Sequence, residues 1–348
     1  MRIRFALLVA LACLGCGPDT PPGTDSGALD GASDAPATTC ATRPPIPTGD
    51  PNGHASPLGV GPGEARAGRL RAADLPVDRT GLATWRAGDF VLANEYVAAI
   101  VEDVGASDLF DPFGGKLVGV GLVEGGHIVH AADFEEIIPG LGLYTLEPES
   151  VTVMSDGSSG GAAIVRSVGT MTLIPFLADF AGHLFGRYDG LRVAIDHVLA
   201  PGSHTVELRF QIASDQPGRL HISQPVQVIV QSSRMRPLID PVGFDTAATT
   251  TVPALLFEDE VGASYAWASA DGPIARAIEA GGAGVYTARP FDAEGCTITE
   301  HVYARVTIAG PGLSPLRREL ASVAGQTLEW CLKDRPTFAR TGTGNSWP

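Results

Sequence analysis

The chain has 348 residues, of which 43 are Gly, 27 are Pro and only 18% are charged. This composition excludes a coiled coil or a helical-repeat protein, which would be rich in Glu, Lys and Leu. The formal net charge is −15, and no basic run follows Arg4, so nucleic acid is not an expected partner. Hydrophobic residues make up 44% of the chain, which excludes a wholly disordered protein.

The N-terminus has the pattern of an export signal. Arg2 and Arg4 precede an uninterrupted apolar run over residues 5–14. This run is too short to be a membrane-spanning helix, which needs about 20 residues. Residues 14–16, Leu-Gly-Cys, look like a bacterial lipobox, in which Cys16 is diacylated and becomes the mature N-terminus. We therefore expect residues 1–15 to be a lipoprotein signal peptide; an ordinary secretory peptide cleaved nearby is the alternative.

The residues after Cys16 predict how the protein is anchored. Gly17 stands where the inner-membrane retention signal has Asp, so an outer-membrane lipoprotein is expected, facing the periplasm or the cell surface. Its acyl chains, of the palmitate kind, stabilise anchoring by ~0.8 kcal/mol per buried methylene, which makes the membrane a partner. Residues 16–63 are rich in Gly, Pro and Asp and lack aromatic residues, so we expect them to be a disordered tether.

Three cysteines remain if Cys16 is lipidated and the signal peptide is removed. Cys296 and Cys331 both lie in the part expected to fold, so in an oxidising compartment they are the predicted disulfide pair. Cys40 would then be a lone thiol in the tether. The alternative is that all three are unpaired.

Residues 64–348 show the period-two alternation of β strands and are expected to form a single antiparallel β-sandwich domain. The clearest unit is a hairpin, in which residues 191–199 and 206–212 flank a turn at 201–203. One helix is predicted near the C-terminus, where Ser314 is an N-cap, Pro315 suits the first helical position and Gly325 fits the end. The fold class is all-β; a propeller is the alternative, but no repeat is visible. The other predicted strands are 90–94, 96–102, 116–123, 220–230, 255–257, 264–268 and 297–308.

Four phrases of the sequence occur together in a familiar order: Gly-Asp-Phe-Val-Leu-Ala-Asn at 88–94, Phe-Gly-Gly-Lys-Leu at 113–117, Asp-His-Val-Leu-Ala-Pro-Gly-Ser at 196–203, and the strand at 205–212. They resemble the β-rich region that precedes PHP-type metallohydrolase domains of the CehA/McbA kind in exported bacterial proteins. That region is similar to galactose-mutarotase-like supersandwich folds. The resemblance covers about residues 80–310, and it implies a supersandwich-like domain. The chain contains no His-x-His pair, which a PHP site needs, so the hydrolase itself is not expected here.

Two ionisable residues interrupt apolar strand faces. Glu300 alternates with Ile298 and Val302, and His197 falls on the apolar face of the hairpin. A carboxylate in an apolar layer must be paired or protonated, and such residues often mark sites. Mutarotase-like enzymes use a carboxylate base and a histidine acid, so the resemblance makes Glu300 and His197 the candidate catalytic pair. The alternative is that Glu300 simply reaches solvent or a neighbouring backbone.

Trp267 and Tyr265 alternate on one predicted strand and are the candidate ligand-binding residues, because exposed aromatic rings stack on sugars. Core packing is the alternative for both. His127 and His130 are three residues apart and would face opposite sides of a strand unless a turn intervenes. We expect no metal and no cofactor. A further acidic group lacks the spacing of a calcium loop and is interpreted as solvated: Glu102, Asp103, Asp108 and Asp111.

The function expected from the sequence is a lipid-anchored, non-enzymatic binding or structural module of the bacterial envelope. Polysaccharide is the first ligand class to consider, and another envelope protein is the second. One alternative is a carbohydrate-active enzyme, a mutarotase-like epimerase or lyase that uses Glu300 and His197. Another is an accessory module of a separately encoded metallohydrolase.

Overall fold

The computed structural model of the chain describes residues 40, 43–77, 85–105, 107, 111–134, 136–175, 188–223, 225–230, 237–239, 253–274, 276–280 and 283–324. These residues form antiparallel strands and a helix, as the sequence predicted. The strands are β1 (Ala65–Arg69), β2 (Phe90–Asn94), β3 (Val97–Val101), β4 (Leu117–Glu124), β5 (His127–Asp133), β6 (Glu136–Leu141), β7 (Tyr144–Ser155), β8 (Ala163–Leu173), β9 (Arg192–Leu199), β10 (Thr205–Ala213), β11 (Arg219–Ile222), β12 (Pro225–Val230), β13 (Pro237–Ile239), β14 (Leu255–Phe257), β15 (Ser264–Ser269), β16 (Arg276–Ala280), β17 (Ala283–Thr287), β18 (Phe291–Glu294) and β19 (Ile298–Ala309); the helix is α1 (Leu313–Ala324).

The strands form two sheets that face each other and a small two-stranded sheet. The smaller of the two has the order β1-β2-β3-β4-β5, and the larger has the order β13-β14-β15-β19-β10-β9-β8-β7-β6-β12-β17-β16. Strands β11 and β18 pair with each other. The main core contains Phe90 and Val97 of the smaller sheet together with Ile195, Phe210 and Val306 of the larger sheet. The architecture is therefore an all-β sandwich.

The smaller sheet is buried on both faces, which explains the continuous apolar runs in β2 and β3. One face packs on the larger sheet, and the other is covered by Leu58, Leu70 and the fully buried Trp85. Trp85 lies so close to β4 that a Cβ atom at Gly119 would be 2.4 Å from its Nε1. Glycine is therefore required at 119 for the indole to fit.

Two elements cover the outer face of the larger sheet. Helix α1 places Leu316 and Leu320 against Leu256, Ala266 and Ala309. The helix begins at Leu313, so Ser314 is its second residue and not the predicted N-cap. Gly325 lies outside the described residues. The second element is a segment of residues 43–54, which we call the strap.

The strap is a correction to the predicted tether, which extended to residue 63. Ile46 packs on Val168, Ala194 and Ala213 of the sheet. The backbones of Asp50 and Val153 exchange two hydrogen bonds of 2.9 and 2.7 Å. The composition of this stretch suggested disorder because it has few apolar residues. Its backbone groups nevertheless form hydrogen bonds with a strand of the larger sheet, which satisfies them.

The disulfide is a second correction. Cys296 is bonded to Cys40, with the two Cα atoms 5.4 Å apart, and not to Cys331, which lies outside the described residues. The backbone N–H of Cys40 also donates to the carbonyl of Asp215 at 3.2 Å, and the Arg43 guanidinium lies 2.5 Å from the Asp215 carboxylate. The pairing depends on the strap crossing the sheet, which no local sequence pattern indicates.

The predicted hairpin is confirmed by β9 and β10, which pair from Val206 with Leu199 to Ala213 with Arg192. The predicted strand over residues 220–230 is instead divided between two sheets, since β11 pairs with β18 while β12 lies between β6 and β17. Pro225 begins β12, and a residue without a backbone N–H commonly stands at such a strand start.

Candidate functional site

A β-bulge in β19 decides which residues of this strand face the core. In the pairing with β10, Leu208 is opposite Ala304 and Arg209 is opposite Val302, so Tyr303 is an extra residue. A bulge places an extra residue in one strand, which changes the phase of the alternation beyond it. Ala304 and Tyr303 consequently both belong to the main core. The residues before the bulge therefore face the opposite side of the sheet from the side that strict alternation predicted.

Glu300 consequently lies on the outer face of the sheet, and the expectation that it faces the apolar layer is wrong. Its Oε2 accepts a hydrogen bond of 2.6 Å from Gln211 Nε2, and Arg209 Nη1 donates to its Oε1 at 3.3 Å. The Glu300 side chain is 50% exposed. Ile298, two residues earlier, packs against Ile46 of the strap, which confirms the face.

His197 does lie on the apolar face, as its alternation predicted. It is 2% exposed and stands between Val165 and Leu208 in the sheet register. Burial lowers the pKa of the imidazole from 6.5 to about 4, because the charged form would be desolvated. Its Nδ1 has no hydrogen-bond partner. The structure thus does not bring Glu300 and His197 together, since they lie on opposite faces of one sheet.

Glu300 is the outer end of a polar network over the sheet. Arg166 holds Asp196 through two hydrogen bonds of 2.6 and 2.7 Å, and Gln211 Nε2 lies 3.3 Å from Asp196 Oδ2. Arg166 also donates to the carbonyl of Pro47 in the strap at 3.2 Å. A bidentate arginine pair that is buried and further hydrogen-bonded gives a fixed geometry. These contacts hold the strap to the sheet.

The bulge turns His301 inward in place of Glu300. The His301 ring stacks on Phe291 with centroids 3.6 Å apart and planes 9° from parallel. Its Nε2 lies 3.1 Å from Asp271 Oδ2. Burial lowers the pKa of His301, while the Asp271 carboxylate opposes this effect. This pair combines an imidazole with a carboxylate, and the strand alternation missed it because a bulge leaves no signal in one strand's sequence.

Trp267 and Tyr265 are both fully buried, so they do not form an exposed sugar platform. Tyr265 stacks on Phe257 with centroids 4.7 Å apart and meets the edge of Phe134 at 4.3 Å. Both residues belong to the main core. Core packing, the alternative that the sequence left open, is what the structure shows for them.

The acidic group after β3 is not a solvated loop. Glu102 and Asp111 are both buried, and Lys116 Nζ lies 3.6 Å from Asp111 Oδ2 and donates to the Asp111 carbonyl at 2.7 Å. Thr145 Oγ1 donates to Asp111 Oδ2 at 2.7 Å. Burial raises the pKa of Glu102 to about 7, against the attraction of Lys116. Asp108 lies outside the described residues.

No group of three or more metal-ligating side chains occurs among the residues that the structure describes. The alternation of β5 is regular from His127 to Val129, and a bulge begins at His130, because Leu122 pairs with Val129 while Val120 pairs with Ala132. His130 has a positive φ of 49°. Its Nδ1, however, lies 2.8 Å from the carbonyl of Val261. In the described part of the chain, no helix is both long and apolar enough to cross a bilayer.

Neither a family model nor a curated protein sequence matches the chain. Among solved structures, an alpha-galactosidase from Geobacillus stearothermophilus in complex with stachyose is similar, with 9% identity, a TM-score of 0.42, and coverage of 71% of this chain and 45% of that one. An alpha-galactosidase from Lactobacillus brevis has 9% identity, a TM-score of 0.37 and coverage of 68% and 41%. A galactose mutarotase related enzyme from Lactobacillus acidophilus has 6% identity, a TM-score of 0.34 and coverage of 64% and 98%. The chain thus spans less than half of either alpha-galactosidase. At these TM-scores, none of the similarities assigns a function.

Proposed function

We propose that the chain is an exported, lipid-anchored β-sandwich protein of the bacterial envelope that works as a non-enzymatic binding or structural module. The observation that carries this proposal is the bond between Cys40 and Cys296. Structural disulfides persist in oxidising compartments and are rare in the cytosol, so this bond supports export independently of the N-terminal signal. It also fastens the segment that follows Cys16 to the sheet, which gives an anchored domain a firm attachment.

The fate of the candidate catalytic pair supports the non-enzymatic part of the proposal. Glu300 is hydrogen-bonded to Gln211 and Arg209 on the outer face. His197 is enclosed in the apolar core on the inner face. A general base must come within hydrogen-bond reach of the proton that it takes, and two groups on opposite faces of one sheet cannot act on the same substrate.

The ligand class that we propose first is a neutral polysaccharide. The net charge of −15 disfavours an anionic polymer through long-range repulsion. A neutral glycan meets no such repulsion, and its hydroxyl groups donate hydrogen bonds to carboxylates. A protein held at the outer membrane would meet such polymers as structural neighbours.

Metabolic labelling with a palmitate analogue tests the anchor. The wild-type protein should carry the label and sediment with the outer membrane, and Cys16→Ala should lose the label. Cys13→Ala is the matched control and should keep it, because Cys13 belongs to the apolar run of the signal peptide and is expected to be removed with it. Labelling that survives Cys16→Ala, or a wild-type protein without label, would overturn the lipid anchor.

Binding to immobilised neutral polysaccharides tests the module itself, with the lipidated protein purified in detergent. A ligand that binds only the folded state raises stability by RT ln(1 + [L]/Kd), so thermal shifts at high glycan concentration reveal weak binding. Retention on at least one neutral polysaccharide is expected, with none on an acidic one. Turnover of any glycan would contradict the non-enzymatic role.

A second candidate function, a carbohydrate-active epimerase or lyase, is favoured by one observation. His301 and Asp271 form an imidazole–carboxylate pair with 3.1 Å between Nε2 and Oδ2, and Phe291 holds the imidazole plane. The Asp271 carboxylate favours the protonated imidazole, which is the form that donates a proton, and His301 Nε2 does not form a hydrogen bond with it. Activity on a glycan that His301→Gln abolishes would establish the enzyme. His221→Gln is the control, because His221 forms a similar pair with Asp292 on the exposed surface.

A further inference from the structure

Three elements meet at one end of the sandwich around Asn94. This side chain is fully buried, and its Oδ1 accepts hydrogen bonds from the backbone N–H groups of Tyr96 and Val97 at 2.9 and 3.0 Å. Its Nδ2 donates to the carbonyls of Ala200 and Ser203 at 3.0 and 2.7 Å. The turn between β2 and β3 is therefore fixed to the turn between β9 and β10, and Tyr96 projects from a rigid base.

The Tyr96 ring is stacked on His204, with centroids 4.7 Å apart and planes 17° from parallel. His204 Nε2 lies 3.9 Å from Glu319 Oε2, so α1 contributes a carboxylate beside the stack. Tyr96 is 46% exposed. Of the Phe, Tyr and Trp side chains whose burial the structure describes, Tyr96 is the one that is exposed rather than buried or half-buried.

The polar groups next to the ring are also held in place. Glu95 Oε1 accepts a hydrogen bond from the backbone N–H of Gly63 at 3.0 Å. Glu95 Oε2 and His204 Nδ1 are buried and have no hydrogen-bond partner. The Glu319 side chain is 30% exposed and lies at the edge of the stack. The site therefore combines an exposed aromatic face with carboxylates beside it.

We propose that the exposed face of Tyr96, backed by His204 and flanked by Glu95 and Glu319, binds a pyranose ring of a neutral polysaccharide. This inference rests on the proposed binding function and gives it a location. The C–H face of a pyranose buries apolar area on an aromatic ring, while its hydroxyl groups donate to carboxylates at the rim. The same carboxylates repel an anionic sugar. Because Asn94 already fixes the turn, little chain entropy is lost on binding.

The test uses the lipidated full chain in detergent and the neutral polysaccharide that it retains best, measured by affinity electrophoresis. Tyr96→Ala should weaken binding by about tenfold or more, as expected for the loss of an aromatic stacking partner. Tyr96→Phe keeps the ring and should stay within about threefold of the wild type. Val261→Ala is the matched control, because Val261 is 65% exposed at a different place and its truncation should change nothing.

The outcomes separate this inference from the function on which it rests. If a glycan binds and Tyr96→Ala binds it equally well, the Tyr96 site is wrong while the binding function stands. If no neutral polysaccharide binds the wild-type protein, both are overturned. An unchanged melting temperature for Tyr96→Ala shows that the variant is folded. If that variant does not fold, Glu319→Gln replaces it, and a loss of affinity is again the expected result.

Discussion

Cys40 is bonded to Cys296, which lies 256 residues further along the chain. The bond joins Cys40, three residues before the strap, to the turn between β18 and β19, where the backbone N–H of Cys296 also donates to the carbonyl of Ser214 at 3.1 Å. A force applied through the N-terminal segment therefore acts first on a covalent link to the sheet. The hydrogen bonds of the strap beyond that point are protected from it.

Cys296→Ser should lower the stability of the fold substantially. Closing a loop of this length removes unfolded-state entropy equivalent to about 5 kcal/mol in the chain-entropy model, although native strain reduces the measured value. Urea unfolding of the oxidised wild type, the variant and the reduced wild type measures the effect. Cys331→Ser is the matched control and should retain wild-type stability. A large loss of stability in that variant would instead support a disulfide between Cys296 and Cys331.

Glu102 should make the protein less stable as the pH rises from about 4.5 to about 7. Burial raises its pKa from 4.5 to about 7, so in this window the folded state keeps a proton that the unfolded state releases. Stability therefore falls across the window and levels off above it. In Glu102→Gln this loss of unfolding free energy, which is at most about 3 kcal/mol, should be absent. The free energies of unfolding of both proteins at several pH values give the comparison, and parallel curves would refute it.

His197 should make the protein less stable as the pH falls from 6.5 to about 4. Its folded-state pKa is lowered from 6.5 to about 4, so between these values the unfolded state binds a proton and the folded state does not. Stability is therefore full above pH 6.5 and is lost as the pH falls towards 4. His197→Leu, which suits the neighbouring Val165 and Leu208, should flatten this acid dependence. His221→Gln on the surface should leave it intact, and an unaltered acid limb in His197→Leu would contradict the argument.

Gly119→Ala should destabilise the smaller sheet. The added Cβ would stand 2.4 Å from Nε1 of Trp85, whose indole is fully buried. Overpacking of this kind typically lowers the free energy of unfolding by about 1–3 kcal/mol. Gly161→Ala is the control, because its Cβ would meet nothing closer than Ser159 Oγ at 3.9 Å. The melting temperature should fall in the first variant alone; equal values would mean that Trp85 can move aside.

The sequence by itself was sufficient for features that depend on neighbouring residues. The alternation over residues 191–199 and 206–212 predicted the hairpin of β9 and β10, because strand side chains alternate with a period of two. Ser314 and Pro315 predicted a helix in the right place, although α1 begins at Leu313, two residues before Pro315. The burial of His197 followed from the same alternation, since no bulge interrupts β9 in its pairing with β10.

Only the tertiary structure decided the features that depend on a partner far along the chain. The bulge at Tyr303 is a mismatch between two paired strands, so the sequence of β19 contains no sign that Glu300 faces outward and His301 inward. Trp267 alternates in the same way whether its face is buried or exposed, and the facing sheet determines which. The disulfide of Cys40 exists because the strap crosses the sheet, and that crossing is stabilised by contacts with residues more than a hundred positions away.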